Sequence, residues 1–473
     1  MENFSYESID IIDSLCSNIR VDLRGTEIVR ILPRKNDNIN EDWITDTARY
    51  AFDGLKNQRM GLPMFYKSSV SMFKISSWSH FYETFTYYYI NELLLTQTLS
   101  YAHFNVGSSL DLYSSYILSI LSKMIPSSKI CFGHFPKQKS YLSTQSFLSS
   151  IFFTELERAD FLIFNNISFS SEYPLIKTRL RRLLETDIAS VSFGKSRDTL
   201  FDKISLSNDN YVRFFRGKLF HSNNLIGKKC VISCSPTDMI SELMYISKHA
   251  ILDKTCIMHT NLQSNYLSHL QSNYLGDTYD DYEIISATRA LFYGIDSPIP
   301  LNFATYKNNY FYVSQGTHKN INHFFNGHTS FNQHIWYLPT SSYFEEDMPY
   351  FNILGILQWT KKVIDNYNFS QSNSSILVHL VLSLHNLGVF STTHITNGNV
   401  GTSLSRYFLD KVPSLLTSRC IEQAYARIEN IGSSVNTWHY SNSSGPLFVQ
   451  YSSVINQVKR AKDRYFSQFN VFI

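Results

Sequence analysis

Hydrophobic and polar positions alternate at the start of this chain. Ile19, Val21 and Leu23 are separated by Arg20 and Asp22, a period of two that predicts a strand. Arg24-Gly25 supplies a turn, Glu27 to Leu32 runs back and Pro33 stops the run, so residues 19–33 predict a β-ribbon. From Asn36 to Arg59 the period is lost, and the pattern predicts an irregular charged crossing with short helical turns capped by polar side chains. From Trp78 to Ser100 the spacing becomes three and four, through Phe81, Phe85, Tyr88, Tyr89 and Leu93, which predicts a helix. Residues 101–106 predict a strand, Gly107 a turn, and residues 108–125 a second helix that Pro126 ends. Strands alternating with helices predict an α/β class.

The alternation continues. Phe161 to Phe164 predicts a buried strand, Pro174 opens a helix, and Ile188 to Phe193 predicts another strand, a unit for which a right-handed parallel crossover is expected. Lys229 to Ser233 and Ala290 to Tyr293 predict further strands, the second followed by Gly294, Ile295 and Asp296. Between them LQSNYLSH is followed by LQSNYL, from Leu262 to Leu275. Two copies are too few for a solenoid, so this reads as a local duplication within a helix or loop. Residues 365–473 are Ser- and Asn-rich with mixed helical pattern.

At 473 residues the length suggests about three structural units. With 43% hydrophobic and 17% charged residues, a globular chain is favoured over a disordered one. A net charge of +3 argues against a broad nucleic-acid footprint. Phe (35) and Tyr (31) are numerous, which reflects either AT-rich codon drift in an organelle genome or a large aromatic core. Residues 1–10, MENFSYESID, are acidic and lack arginine and an apolar stretch, the opposite of a targeting peptide. The longest apolar run, Ile376 to Phe390, is broken by His379, Ser383, His385 and Asn386 and falls short of a membrane span. Cys16, Cys131, Cys230, Cys234, Cys256 and Cys420 form no C-x-x-C pair, so buried free thiols are expected rather than a zinc or cluster site.

One stretch carries a resemblance. Ser17-Asn18-Ile19, Arg30-Ile31-Leu32-Pro33-Arg34, Ile39-Asn40, Trp43-Ile44, Asp46, Arg49, Asp53-Gly54-Leu55 and Gln58-Arg59 follow in an order that resembles the large iron–sulfur subunit of respiratory complex I. In that family the segment follows the iron–sulfur ligands and opens a domain related to molybdopterin oxidoreductases. Two weaker blocks agree: residues 155–194, and a third running through Gln315, Gly316, His318, Leu338, Pro339, Tyr343, Glu345, Tyr350, Asn352 and Gly355. The resemblance implies a degenerate molybdopterin-oxidoreductase-like α/β fold. It divides into a small β-rich subdomain (1–66), two Rossmann-like lobes (67–200 and 201–355) and a mixed helical region (356–473). Active relatives approach the cofactor phosphates through a glycine-containing loop. Asn165, Asn166, Ile167 and Ser168 stand there, and Ile356 replaces an arginine, so the resemblance implies a relic site.

The function so implied is structural. The chain is expected to be a scaffold subunit of the matrix-side peripheral arm of mitochondrial complex I. It would have no catalytic residues, no cofactor of its own and no membrane span. Iron–sulfur clusters are expected on a separate chain equivalent to the upstream part of the subunit, and that chain and other peripheral-arm subunits are the expected partners. Arg20, Arg24, Arg34, Trp43, Arg49, Tyr50 and Arg59 are the expected partner-contact residues. The rival reading is a molybdopterin-dependent oxidoreductase with an atypical site.

Other chemistry is weaker. Ala189-x4-Gly194-Lys195-Ser196 fits a loose phosphate-loop pattern, but Ser190 to Phe193 reads as strand rather than glycine-rich loop. His318, His323, His328 and His334 recur in a Gly- and Asn-rich stretch that reads as an insertion contacting a partner rather than a metal site. Arg179, Arg181, Arg182, Glu185 and Asp187 form either an anion site or, as the plainer reading, a solvated helix face. No nucleophile elbow occurs.

Overall fold

The computed structural model describes residues 3–67, 72–90, 100–107, 109–125, 128–132, 158–165, 169, 173–184, 188–193, 203–205, 230–234, 255–259, 289–296, 309–318, 333–386, 447–458 and 460–461. The LQSNYL duplication, residues 166–168, Lys195 and Ser196, His323 and His328, and most of 387–473 lie outside the described residues.

The chain opens with β1 (Asn3–Ile9), β2 (Asn18–Arg24) and β3 (Glu27–Pro33), an antiparallel sheet in sequence order. Gly25 turns β2 into β3 with φ +66°, a backbone conformation that glycine adopts without steric cost. The ribbon expected over 19–33 is therefore present, with β1 added along its other edge. Helix α1 (Asp46–Tyr50) starts where the Thr45 hydroxyl accepts from Ala48 N, and a 3-10 turn follows at Ala51–Lys56.

Next come β4 (Met64–Lys67), β5 (Met72–Ile75), α2 (Trp78–Tyr88), β6 (Ser100–Val106), α3 (Leu112–Met124) and β7 (Ser128–Phe132). Ser77 and Asp111 cap the two helices by accepting from His80 N and Ser114 N. A second series follows with β8 (Phe161–Asn165), α4 (Pro174–Leu184), β9 (Ala189–Phe193), β10 (Lys203–Ser205), β11 (Cys230–Cys234) and β12 (Thr255–His259). Then β13 (Arg289–Ile295), β14 (Asn309–Gly316), β15 (Gln333–Pro339), β16 (Pro349–Phe351), β17 (Leu357–Trp359), α5 (Asn373–Asn386) and α6 (Leu447–Gln450) complete the described elements.

Two parallel sheets organise these elements, as an α/β chain requires. One has the order β10-β9-β8-β11-β12. The other runs β5-β4-β15-β14-β13-β6-β7, with β4 and β5 antiparallel at its edge. The strands within 67–200 divide between the two sheets: β6 and β7 join β13–β15, whereas β8, β9, β11 and β12 pair among themselves. Central strands of the larger sheet are covered on both faces. Ala102, His103, Phe104 and Asn105 are all fully buried, the mark of a parallel sheet sandwiched by helices. Helices α2, α3 and α5 pack on one face around Phe81, Phe85, Phe104, Leu118, Tyr293, Trp336 and Leu380. Each such side chain contributes roughly 1.5–3 kcal/mol on burial. Much of the aromatic richness thus has a place in the core.

The three-stranded sheet has its own core, which Tyr343, Phe344, Tyr350 and Phe448 complete from distant parts of the sequence. A third cluster joins β8 and α4 to Leu15, Ile39 and Leu354. Across it, Arg179 of α4 donates to the carbonyl oxygens of Asp37 (2.6 Å) and Ile39 (3.5 Å), and Arg182 pairs with Glu41. The basic run of α4 therefore ties the helix to the N-terminal region.

Candidate functional site

The stretch after β3 is irregular because side chains, not a ladder, satisfy its backbone. Asn40 is the hub. Its carbonyl oxygen accepts from Asn18 N (3.0 Å), while Nδ2 lies within reach of the carbonyls of Arg34 and Trp43, both at 3.1 Å. Asn18 in turn donates to Gln358 Oε1 (3.1 Å) and accepts from Arg34 Nη2 (2.6 Å). One asparagine thus replaces the hydrogen bonds that a strand or helix would have made.

The expected contact residues lie around this segment. Trp43, before α1, is 59% exposed, and Tyr50, at its last position, 43% exposed. Arg20 lies on β2 and reaches Asp22 at 3.1 Å, which Arg30 also grips at 2.6 Å. Burial pushes the Asp22 carboxyl up, but bonds from Ser5, Arg30 and Arg20 outweigh it and hold the group below its usual range. Arg34 also pairs with Glu7, Arg24 is exposed at the end of β2, and Arg49 is half-buried on α1. Arg59 departs from this group. It turns inward and makes a bidentate ion pair with Glu345, the two side chains being 4% and 1% exposed, so it is not a surface residue.

Open parallel α/β sheets bind ligands in the crevice outside the carboxyl ends of their strands. At that edge of the larger sheet several described residues find partners within the chain. Tyr293 donates to Gln315 Oε1 (2.6 Å), and Gln315 Nε2 donates to Asn373 (2.7 Å). His318 Nε2 lies 3.0 Å from the Gly54 carbonyl and 2.8 Å from that of Asn57, so it carries the proton and donates, while Nδ1 accepts from Thr317. The imidazole stacks on Tyr451 at 4.3 Å, and burial lowers its pKa to about 4. His318 is a structural clamp over the 3-10 turn. No group of three or more metal-ligating side chains occurs among the described residues.

Acidic groups gather beside this edge. Asp296 follows β13 at φ +51°, bonds to Ser109, and leaves Oδ1 without a partner. Burial raises it to about 6. Glu346, bonded to Ser341, is pushed well up by burial and then by Asp111, Glu345 and Asp296. Beneath β1, Asp10 and Asp13 are also raised by burial, with Tyr343 donating to Asp10 at 3.3 Å.

Comparison with known proteins bears on these observations. Residues 4–53 match a family model described as NADH-ubiquinone oxidoreductase NDSU1/NuoG-like, 4Fe-4S domain. The NADH-ubiquinone oxidoreductase 75 kDa subunit of Acanthamoeba castellanii is 28% identical over 397 residues, 80% of this chain and 55% of that protein. The 75 kDa subunit of Reclinomonas americana is 31% identical over 43% of this chain and 31% of its own length. The mitochondrial NADH-ubiquinone oxidoreductase 78 kDa subunit of Neurospora crassa is 30% identical over 43% of this chain and 27% of its own length. The chain therefore spans about half the length of the first relative and less than a third of the other two. Among solved structures, a formyltransferase/hydrolase complex from Methylorubrum extorquens covers 61% of this chain and 93% of its own at 11% identity. The TM-score of that match is 0.40.

The family match corrects one expectation. The chain was expected to carry no cofactor, yet its first 50 or so residues belong to a segment described as a 4Fe-4S domain. A 4Fe–4S cluster is ordinarily held by four cysteine thiolates. Within residues 4–53 Cys16 is the one cysteine, and no histidine occurs. Cys16 is fully enclosed, and burial followed by Asp13 and Asp10 pushes its thiol well up, against thiolate formation. The residues of this segment do not by themselves fit a cluster's ligand set. Sequence order in the N-terminal stretch and similarity across four fifths of the chain agree. Over the part it spans, the chain is similar to the NADH-ubiquinone oxidoreductase 75 kDa subunits.

Proposed function

We propose that this chain is a structural subunit of the matrix-side peripheral arm of mitochondrial complex I, with a degenerate molybdopterin-oxidoreductase-like fold. Its N-terminal face, carrying Trp43, Tyr50, Arg20, Arg24, Arg34 and Arg49, would pack against a cluster-bearing polypeptide and neighbouring subunits. Large aromatic and arginine side chains around a polar rim suit such an interface. The observation that supports the scaffold role is how several described residues at the carboxyl edge of the larger sheet are engaged. Arg59–Glu345, His318 and Gln315 are each engaged by the chain itself, where a dinucleotide enzyme would keep its cleft open.

The test is native electrophoresis of detergent-solubilised mitochondrial membranes, followed by in-gel NADH dehydrogenase staining. The chain is expected in the active high-mass band, together with a companion bearing the cluster cysteines. Migration only as a free monomer overturns the proposal. Stoichiometric molybdenum in the purified chain would favour a molybdopterin-dependent oxidoreductase instead.

A further inference from the structure

A surface cleft lies between the end of the 3-10 turn and the C-terminal helical residues. Its volume is about 580 Å³, and it is lined by Lys56, Asn57, Gln58, Tyr451, Ser453, Asn456, Gln457 and Arg460. Among the described residues the lining carries two cations from opposite ends of the chain and no carboxylate. Four of the remaining side chains are amides, each offering both donors and an acceptor.

The walls are held in place. Asp53 Oδ2 accepts from Ser453 N (3.1 Å), Ser453 Oγ (2.9 Å) and Val454 N (3.3 Å), which caps the helical residues against the 3-10 turn. Tyr451 is backed by the stacked His318 ring. Gln58 holds φ +54°, a left-handed conformation unusual for a residue with a side chain. Strain of this kind collects where a side chain must be aimed. Among the described residues, Lys56 has an acidic neighbour in Glu27, 3.3 Å away in an exposed pair. Such pairs are weak and readily exchanged.

We propose that this cleft binds a carboxylate-rich peptide segment of a partner polypeptide. Lys56 and Arg460 meet its side-chain carboxylates, and the amides of Gln58 and Gln457 meet its backbone N–H and C=O groups. The lining offers no glycine-rich cradle for a bare phosphate. One face of the Tyr451 ring is already taken by His318, which disfavours stacking of a nucleobase. The cleft's chemistry holds whether or not the chain sits in complex I.

The experiment is titration of the full chain with a fluorescein-labelled hexaglutamate peptide, read by anisotropy. Hexaglutamate is expected to bind, and affinity should fall at least about fivefold at roughly 0.3 M salt. The Lys56→Gln/Arg460→Gln double variant should lose about tenfold with an unchanged melting temperature, whereas Lys362→Gln, an exposed cation elsewhere, should lose nothing. A hexaserine peptide should not bind. Absence of hexaglutamate binding overturns the proposal, as does equal loss in the Lys362→Gln control. Displacement by equimolar inorganic phosphate would make this a small-anion site and likewise overturn it.

Discussion

Arg59 grips Glu345 through two parallel N–H···O bonds, although 286 residues separate them in sequence. The pair joins the segment after the 3-10 turn to the loop after β15. Glu345 also accepts from Ser342 N at 2.8 Å, and Tyr367 lies under the guanidinium at 4.9 Å. Removing one partner would leave the other charge buried and unpaired. Arg59→Met is expected to destabilise the chain by about 3–5 kcal/mol, and the Arg59→Met/Glu345→Leu double variant by much less. Urea titration measures both. Additive losses would show that the two groups do not interact.

Asp53 and Gly54 dock the C-terminal residues. Asp53→Ala deletes the cap on Ser453 and Val454, an expected loss of about 1 kcal/mol with faster amide exchange at 453–458. A Cβ at position 54 would fall 2.1 Å from the Phe448 carbonyl oxygen. Backbone cannot yield cheaply there, so Gly54→Ala should cost about 1–3 kcal/mol and expose the C-terminal residues to limited proteolysis. Unchanged exchange in both variants would refute the docking.

Stability should respond to pH through two opposed limbs. Asp296 rises from the ordinary 3.8 to about 6, so between these values the folded chain holds a proton that the unfolded chain has lost. Its contribution is present at low pH and is lost as pH rises through about 6. Asp111, Glu346 and Tyr350 face the same buried region, with Ser109 its hydrogen-bond donor. His318 falls from 6.5 to about 4, so the unfolded chain holds the extra proton and stability is lost as pH falls through this window. The gain from Asp296→Asn should therefore grow from about pH 4 to about pH 6 and stay level above it. His318→Gln should weaken the loss on acidification. Urea midpoints across this range decide; a pH-independent effect of Asp296→Asn would contradict the assignment.

Cys16 occupies a left-handed backbone position, φ +52°, inside the core. Glycine accepts that conformation freely and a β-branched residue does not. Cys16→Gly is expected to stay within about 1 kcal/mol of the parent, as relief of strain offsets the lost side chain. Cys16→Val should lose more than about 2 kcal/mol. Urea titration of both variants measures this; equal losses would contradict the backbone assignment.

The strands, caps and turns nearest to one another in sequence were legible in it. Ile19, Val21 and Leu23 alternate, Gly25 turns and Pro33 stops, and β2 and β3 form there because each signal acts within a few residues. Helices α2 and α3 follow the spacing of Phe81, Phe85, Ile117 and Leu121, and the order of residues 17–59 already indicated the family. The third strand, β1, was not legible as a partner. Nor was the sheet order that sets β13 between β6 and β14, because pairing of strands nearly two hundred residues apart depends on which faces need burial.

Arg59 shows the same division. Its charge suggested a surface, but tertiary structure supplied Glu345 and Tyr367 and made the interior the lower-energy place. His318 looked like one of four spaced histidines, and only the return of the 3-10 turn over β14 turned it into a donor to Gly54 and Asn57. The sequence by itself determined the local elements and the family resemblance, since periodicity, capping and residue order are local properties. The tertiary structure decided which charges are buried, which edge is closed and which residues meet across the cleft at Lys56 and Arg460. Those outcomes depend on free energies of burial that no single segment carries.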